Sequence, residues 1–354
     1  MTNNLPDRNT GNCLGVLRLL FASLVLVSHS SELVDGNRGR ELLTSVFHTI
    51  SFGMLAVDGF FIISGYLVVM SYMRSLSLVD YMTKRIARIY PGFLVASLIC
   101  LTGVAYLAGG DTSTLFTAPW SHLLTALTLR TPKLPHVFVG LPYPFLDGAM
   151  WTISYEFMCY LLVVPLGLLG LFDKRRELLL VMFLTFVCGH AFGWAAWIPL
   201  PGLGTGIRFV SMFLGGSCLF AYRDMVRYRR IPGCIACLLL IACLFARGLA
   251  EAAVATFGAY VIFWCGLRPI PQLLRKIMGD TDISYGIYLY GWPAQSLIIF
   301  WFHRDISPWV VFSASLALSC SLGYLSWKLV EKPSLDFRAL VAKRHLRVSL
   351  GTVA

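Results

Sequence analysis

The chain has 354 residues, of which 57% are hydrophobic and 13% charged, with a mean hydropathy of +0.72 and a net charge of +11. Soluble domains carry about 25% charged residues, so this composition excludes a soluble enzyme and predicts an all-α polytopic membrane protein. The basic excess does not call for nucleic acid, because membrane chains concentrate Lys and Arg in cytoplasmic connections.

Residues Met1 to Asn12 are polar, with Arg8 the one cation. No small-residue cleavage pattern follows them, so the first apolar run is expected to remain as a helix. Apolar runs between charged or Pro/Gly-rich breaks predict about ten transmembrane helices, near 13–31, 46–72, 90–108, 149–170, 178–198, 206–222, 232–248, 250–267, 282–302 and 308–329. Segment 118–130 is apolar but too short to span, and is expected to lie at an interface or to re-enter. Placing alternate connections on opposite faces puts 21 Lys and Arg on one side and six on the other, leaving Arg18 and Arg208 inside spans. That asymmetry predicts a multi-pass protein of the plasma (bacterial inner) membrane with both termini cytoplasmic.

Arg18 and His29 in the first span are eleven residues apart. At about 100° per residue they share a helix face, and at about 1.5 Å rise they stand roughly 16 Å apart along it. Intramembrane ionisable groups mark a pathway or reaction site; the alternative is that Arg18 snorkels and His29 sits among headgroups. The second span carries Asp58 within Val57-Asp58-Gly59-Phe60-Phe61-Ile62-Ile63-Ser64-Gly65-Tyr66, whose small residues permit close helix approach. The cytoplasmic link Lys84-Arg85-Ile86-Ala87-Arg88 places Lys84 and Arg88 on one face if helical, as an anion site or a headgroup anchor. The outward connection 109–148 is Pro- and Gly-rich and long enough to be a lid or binding loop. Trp151-Thr152-Ile153-Ser154-Tyr155-Glu156 then re-enters, with Glu156 in the same leaflet as His29.

The ten cysteines fall mostly within apolar runs and read as small buried hydrophobes, Cys234 and Cys237 included despite their CxxC spacing. His190 reads as a satisfied core residue and His122, His136 and His303 as interfacial or loop histidines. His48 is a candidate for the outer vestibule, and no ligand spacing predicts a metal site.

Taken together these strings resemble the acyltransferase-3 family of membrane O-acyltransferases along nearly the whole chain. The resemblance rests on Arg18 and His29, Phe60-Phe61-Ile62-Ile63-Ser64-Gly65-Tyr66, and Lys84-Arg85-Ile86-Ala87-Arg88-Ile89-Tyr90-Pro91. It rests further on Trp151 to Glu156, Ile283-Ser284-Tyr285-Gly286-Ile287-Tyr288-Leu289 and Glu331-Lys332-Pro333. Many members carry His or Asn where this chain has Tyr290-Gly291-Trp292-Pro293, so no catalytic role is assigned there. Many also continue into a periplasmic hydrolase-like domain; here residues 1–354 are read as one membrane acyltransferase domain, a bundle over 13–330 and a basic cytoplasmic tail over 331–354.

The resemblance implies transfer of an acyl group, most often acetyl, from cytoplasmic acyl-CoA to a hydroxyl of an extracytoplasmic glycan, with the bilayer and glycan-assembly proteins as candidate partners. Lys84, Arg85 and Arg88 are then placed at the CoA phosphates, which guanidinium forks suit. His29 is expected as general base or acyl carrier. Glu156, ahead of Asp58, is the expected carboxylate orienting it. Asp58 is otherwise expected to neutralise Arg18, and Arg18 to contact the CoA arm, stabilise the oxyanion or serve architecture alone. The alternative reading is a transporter or flippase using the intramembrane charges as a relay, against which stands the lack of a clear internal repeat.

Overall fold

A computed structural model describes residues 12–194, 200–272, 281–302 and 305–340, and these residues form no strand beyond an isolated bridge between Asn12 and Pro269. Ten long helices dominate. They are α1 (Leu14–Asp35), α2 (Phe52–Met73), α3 (Leu78–Leu107), α4 (Thr152–Leu168) and α5 (Arg176–Ala191), followed by α6 (Leu203–Ala221), α7 (Arg230–Leu244), α8 (Ala250–Gly266), α9 (Ser284–Phe302) and α10 (Pro308–Leu340). Of these, α1, α2, α3, α6 and α10 are each long and apolar enough to cross a membrane, and α4, α7 and α8 are shorter apolar helices. The protein is therefore an all-α polytopic membrane protein, with a helix at each position where the sequence shows an apolar run.

Several boundaries differ from expectation: α1, α3 and α10 run beyond their apolar parts into polar residues, α1 ending at Asp35 rather than near 31, whereas α2 begins at Phe52 rather than near 46 because Leu42–Phe47 forms a separate short helix that stops at His48, φ 58°. Helix α3 begins at Leu78 rather than near 90: Ser77 caps it, its Oγ accepting from Asp80 N at 3.1 Å. The basic cluster Lys84 to Arg88 therefore lies on the first turns of a helix and not in a link. Helix α10 continues past 329 through a π-helical turn at Trp327–Glu331, while most of the expected basic tail lies outside the described residues. Helix α5 ends at Ala191, short of the expected 198, and residue 198 itself lies outside the described residues.

Helix α1 occupies the middle of the bundle, packed on α2 along one side and on α9 and α10 along the other. It stops at Gly36, whose φ of 76° turns the chain and whose N–H donates to Glu32 O at 2.8 Å. Helix α2 starts at the N-cap Ser51, which accepts from Met54 N at 3.1 Å. Glycines set the closest crossings. A Cβ on Gly65 of α2 would stand 1.9 Å from Phe213 O of α6, and one on Gly216 of α6 would stand 1.9 Å from Ile62 O of α2. The two backbones thus touch, as small residues allow in membrane bundles.

The connection between α3 and α4 is not structureless. It holds short helices Thr114–Thr117 and Pro119–Leu127, and its later part builds a small core of Leu134, Val137, Phe138 and Leu146 against Cys100 and Val104 of α3. Phe138 also meets Phe300 of α9 edge to face at 5.7 Å. The helix at 119–127 covers the apolar segment expected at an interface, and Trp120, Leu123, Leu124 and Leu127 are exposed on it.

Candidate active site

His29 lines a cavity of about 720 Å³ walled by α1, α2, α6, α9 and the loop preceding α4. Its Nδ1 lies 2.9 Å from Oε2 of Glu32, three residues on, where the helix brings side chains to one face. Arg38 fixes that carboxylate, its Nη2 donating to Glu32 Oε2 at 2.8 Å and its Nη1 to Ser51 Oγ at 3.1 Å. Ser51 thereby caps α2 and anchors the Arg38 fork at once. The tautomer that fits carries the proton on Nδ1, donated to Glu32, and leaves the Nε2 lone pair for an incoming proton. Trp292 packs against the imidazole edge to face with centroids 4.8 Å apart. This is an oriented imidazole lining a cavity, a geometry compatible with general-base chemistry.

The carboxylate on His29 is thus neither Glu156 nor Asp58 but Glu32, which the sequence reading passed over. Its signal was the i, i+3 spacing from His29, hidden because the apolar run ends at Ser31 and left Glu32 counted as loop.

Asp58, fully buried, takes Arg208 of α6 as partner instead of Arg18. Arg208 Nε and Nη2 donate to Asp58 Oδ1 and Oδ2 at 3.1 and 2.8 Å. Nε also lies 3.3 Å from Glu251 Oε1 on α8, and Glu251 contacts His190 of α5 through its other oxygen. His190 is therefore a paired residue, as read. A buried charge left alone is costly, and this cluster leaves none alone.

At the other end of α1, Arg18 Nη1 donates to Asp282 Oδ2 at 2.6 Å, and Arg88 Nη2 reaches the same oxygen at 2.7 Å. Asp282 stands just before α9 and holds two guanidinium groups together, with Glu331 3.9 Å from Arg88. Arg18 also lines a second, smaller cavity together with Ser64, Glu156 and Ser284. Glu156 Oε1 accepts from Ser64 Oγ at 2.9 Å and from Tyr160 OH at 2.5 Å. Val57, Thr152 and Tyr288 line both cavities. Tyr288 OH stands 2.5 Å from Thr152 Oγ1 and donates to Ala149 O at 2.8 Å, so these side chains form the waist between the two spaces. The two members of the α1 stripe thus open on neighbouring cavities.

Of the three cations expected at CoA phosphates, two are held by carboxylates. Lys84 Nζ donates to Asp80 Oδ2 at 2.6 Å, Asp80 also receives Arg338, and Arg88 is bound to Asp282. Arg85 donates to Ser71 Oγ at 3.0 Å and lies over the rings of Tyr81 and Tyr160, with no carboxylate partner among the described residues.

The cavity wall also contains Asp147, buried in the turn that leads into α4, where its Oδ1 accepts from Ala149 N at 2.6 Å and Met150 N at 3.0 Å. Its Oδ2 is buried without a partner among the described residues, and burial pushes the carboxyl up to about 7. A raised pKa means the native state binds a proton that the unfolded chain releases at about 3.9, so stability falls as pH rises between these values and the cost is complete above about 7. Asp147→Asn keeps the accepting oxygen and removes the charge. Its melting temperature is expected to exceed the parent's by a few degrees at pH 8 and to match it at pH 4; an equal shift at both would contradict the buried charge.

Comparison with known proteins places these features in context. The acyltransferase-3 family model, described as an acyltransferase domain, matches residues 12–328. An O-acetyl transferase of Shigella phage Sf6 is 28% identical over 91% of this chain and 95% of its own. Nodulation protein 10 of Rhizobium leguminosarum bv. viciae is 25% identical over 96% and 97%, and exopolysaccharide production protein ExoZ of Rhizobium meliloti is 27% identical over 81% and 91%. No solved structure matches the chain.

Proposed function

Because the chain belongs to the acyltransferase-3 family and is a membrane acyltransferase, we propose that it moves a short acyl group, acetyl above others, from cytoplasmic acyl-CoA to a hydroxyl of an extracytoplasmic glycan. The observation that carries this reading is His29, fixed by Glu32 and Arg38 in the larger cavity and separated from the Arg18 cavity by one waist of side chains. The relatives named for O-acetyl transfer and exopolysaccharide production support the acyl group and the glycan. The excess of Lys and Arg in alternate connections supports the sidedness, with Arg18 toward the cytoplasm and His29 away from it.

In this mechanism CoA stays at the Arg18 end, where Arg85 is the cation not committed to a carboxylate and therefore the one free to meet phosphate. The pantetheine arm carries the thioester through the waist at Tyr288 and Thr152. A glycan hydroxyl in the larger cavity attacks the thioester carbonyl while His29 Nε2 takes its proton. The C–O bond forms, the C–S bond breaks, and His29 returns the proton to the departing thiolate. Glu32 stabilises the imidazolium that exists between the two transfers, and Trp292 keeps water from the ring. Glu156 and Asp58 serve this site through the waist and the wall: Glu156 ties Ser64 of α2 to Tyr160 of α4, and Asp58 holds Arg208.

The test is purified protein in lipid discs with labelled acetyl-CoA and de-esterified cell-envelope glycan. Label is expected in the glycan as base-labile ester; CoA movement across the membrane without labelled glycan would support a carrier instead. Glu32→Gln keeps the helix and the hydrogen bond but not the charge, and is expected to lower the transfer rate about 100-fold with the donor KM unchanged. A rate within twofold of the parent would remove Glu32 from the mechanism.

A further inference from the structure

The cavity that contains His29 is larger than one reacting sugar needs. At about 30 Å³ for each water-sized group, a volume of about 720 Å³ admits roughly 24 non-hydrogen atoms, about twice those of one hexose unit. Cations and carboxylates share its wall, Arg38, Lys133 and Arg208 beside Glu32 and Asp147, so charge alone selects no occupant. Size and aromatic surface remain to do so.

Aromatic rings occupy two parts of that wall. Trp292 is buried beside the His29 imidazole, and its ring lies on Gly148, where an added Cβ would stand 2.4 Å from it. Three residues further on, and so within about 11 Å of Gly148, Trp151 lines the same cavity and is 44% exposed. Its ring is fixed from behind. Phe61 of α2 and Phe209 of α6 stack with centroids 4.2 Å apart and planes 6° from parallel, and Trp151 continues that column with its centroid 5.7 Å from that of Phe209. Tyr155, one turn on in α4, meets Trp151 edge to face at 5.9 Å. The column is thus clamped at its buried end and open at Trp151. Phe145, 51% exposed on the preceding loop, lines the cavity as well. Its N–H donates to Tyr143 O at 2.8 Å, and Tyr143 OH donates to Gly36 O at 3.0 Å, which ties this part of the loop to the end of α1.

A ring held rigid in advance loses little conformational entropy on binding, and the negative face of an indole attracts the polarised C–H groups of a sugar face. Lys133 Nζ and Arg208 Nη1, atoms with no partner among the described residues, supply N–H donors for sugar oxygens at the same cavity.

We propose that Trp151, supported by Phe145, is the platform on which a second sugar stacks while the first presents its hydroxyl to His29, which makes the acceptor a segment of two or more linked sugars and not a single glycosyl group. This inference rests on the glycan acylation reading above and specifies the size of the acceptor at that same cavity.

The test reads chain length. Oligosaccharides from partial acid hydrolysis of de-esterified host envelope polysaccharide are sized by gel filtration into pools of one, two, and three or more sugars. Each pool is offered with labelled acetyl-CoA to the intact protein in lipid discs, and kcat/KM for ester formation is measured. The parent is expected to favour two sugars over one by about tenfold, and Trp151→Ala to erase most of that preference through KM, with Trp151→Phe, which keeps a ring, restoring much of it. Equal use of one and two sugars by the parent overturns the proposal. So does a Trp151→Ala protein that keeps the length preference, the outcome for a tryptophan that only anchors the chain at the membrane interface. Should Trp151→Ala fail to fold, Phe145→Ala is expected to weaken the preference in the same direction, and an unchanged preference overturns the assignment. If no pool is acylated, isothermal titration of the same pools decides: tighter binding of two sugars than of one would refute the acyltransferase chemistry while leaving this assignment standing, and equal binding would remove both.

Discussion

Replacement of His29 by Ala is expected to lower the acyl transfer rate by 10²–10⁴-fold, the range a positioned general base supplies, with the protein still folded and still binding acetyl-CoA. Folding should survive because His29 sits in a cavity wall and gives up one hydrogen bond, leaving Glu32 with its Arg38 partner. Transfer should not, because no other imidazole among the described residues lines that cavity. His29→Gln is the sharper variant: it can accept from the hydroxyl but cannot hold its proton, so its rate should fall with that of Ala. A base and an acyl carrier part company when the acceptor is left out. If His29 carries the acyl group, labelled acetyl-CoA alone will label the parent protein and not the variant; if it is a base, neither will retain label. Wild-type transfer by His29→Ala would end both versions.

The ten helices were legible because lipid imposes a length and an apolarity on each crossing, and the sequence carries both with clear breaks. The α1 stripe was legible for a related reason: an eleven-residue spacing between two ionisable groups in an apolar run has one geometric meaning in a helix. Partnerships were harder. Asp58 and Arg208 are 150 positions apart, and the only signal was that Arg18 and Arg208 were two intramembrane cations, each needing an acid. Sequence proximity favoured Arg18 for Asp58, whereas packing of α2 on α6 decided for Arg208. Arg18 found Asp282, which lies at the very end of an expected span and was read as boundary. The cluster at Lys84 to Arg88 looked like a free anion site because its basic residues are contiguous. Its counter-ions, Asp80 one turn back and Asp282 nearly 200 residues on, become visible only when α3 is seen to begin at Leu78. Periodicity therefore reports which face a charge occupies, while the tertiary contacts report whether that charge is spent.

Gly65→Ala is expected to prevent the α2–α6 crossing and with it recovery of folded protein. A Cβ at Gly65 would stand 1.9 Å from Phe213 O and 3.1 Å from Ser217 N, and every atom it meets is main chain. A side chain could rotate away, but a helical carbonyl cannot without breaking its own hydrogen bond. Gly216 meets Ile62 O and Tyr66 N in the same way from the opposite side, so neither helix can shift to relieve the other. Overpacking of ordinary cores costs about 1–3 kcal/mol because neighbours adjust. Here the adjustment must separate two helices that also position Asp58, Arg208, Val57 and Phe209 around the cavity, and a loss above about 4 kcal/mol is expected. The measurement is the fraction of monodisperse protein after detergent extraction, with Gly15→Ala as control, since a Cβ there meets nothing within 4 Å. Full recovery of Gly65→Ala with normal melting would mean that the two backbones do not touch, and that the walls of the His29 cavity are held by something other than this pair of glycines.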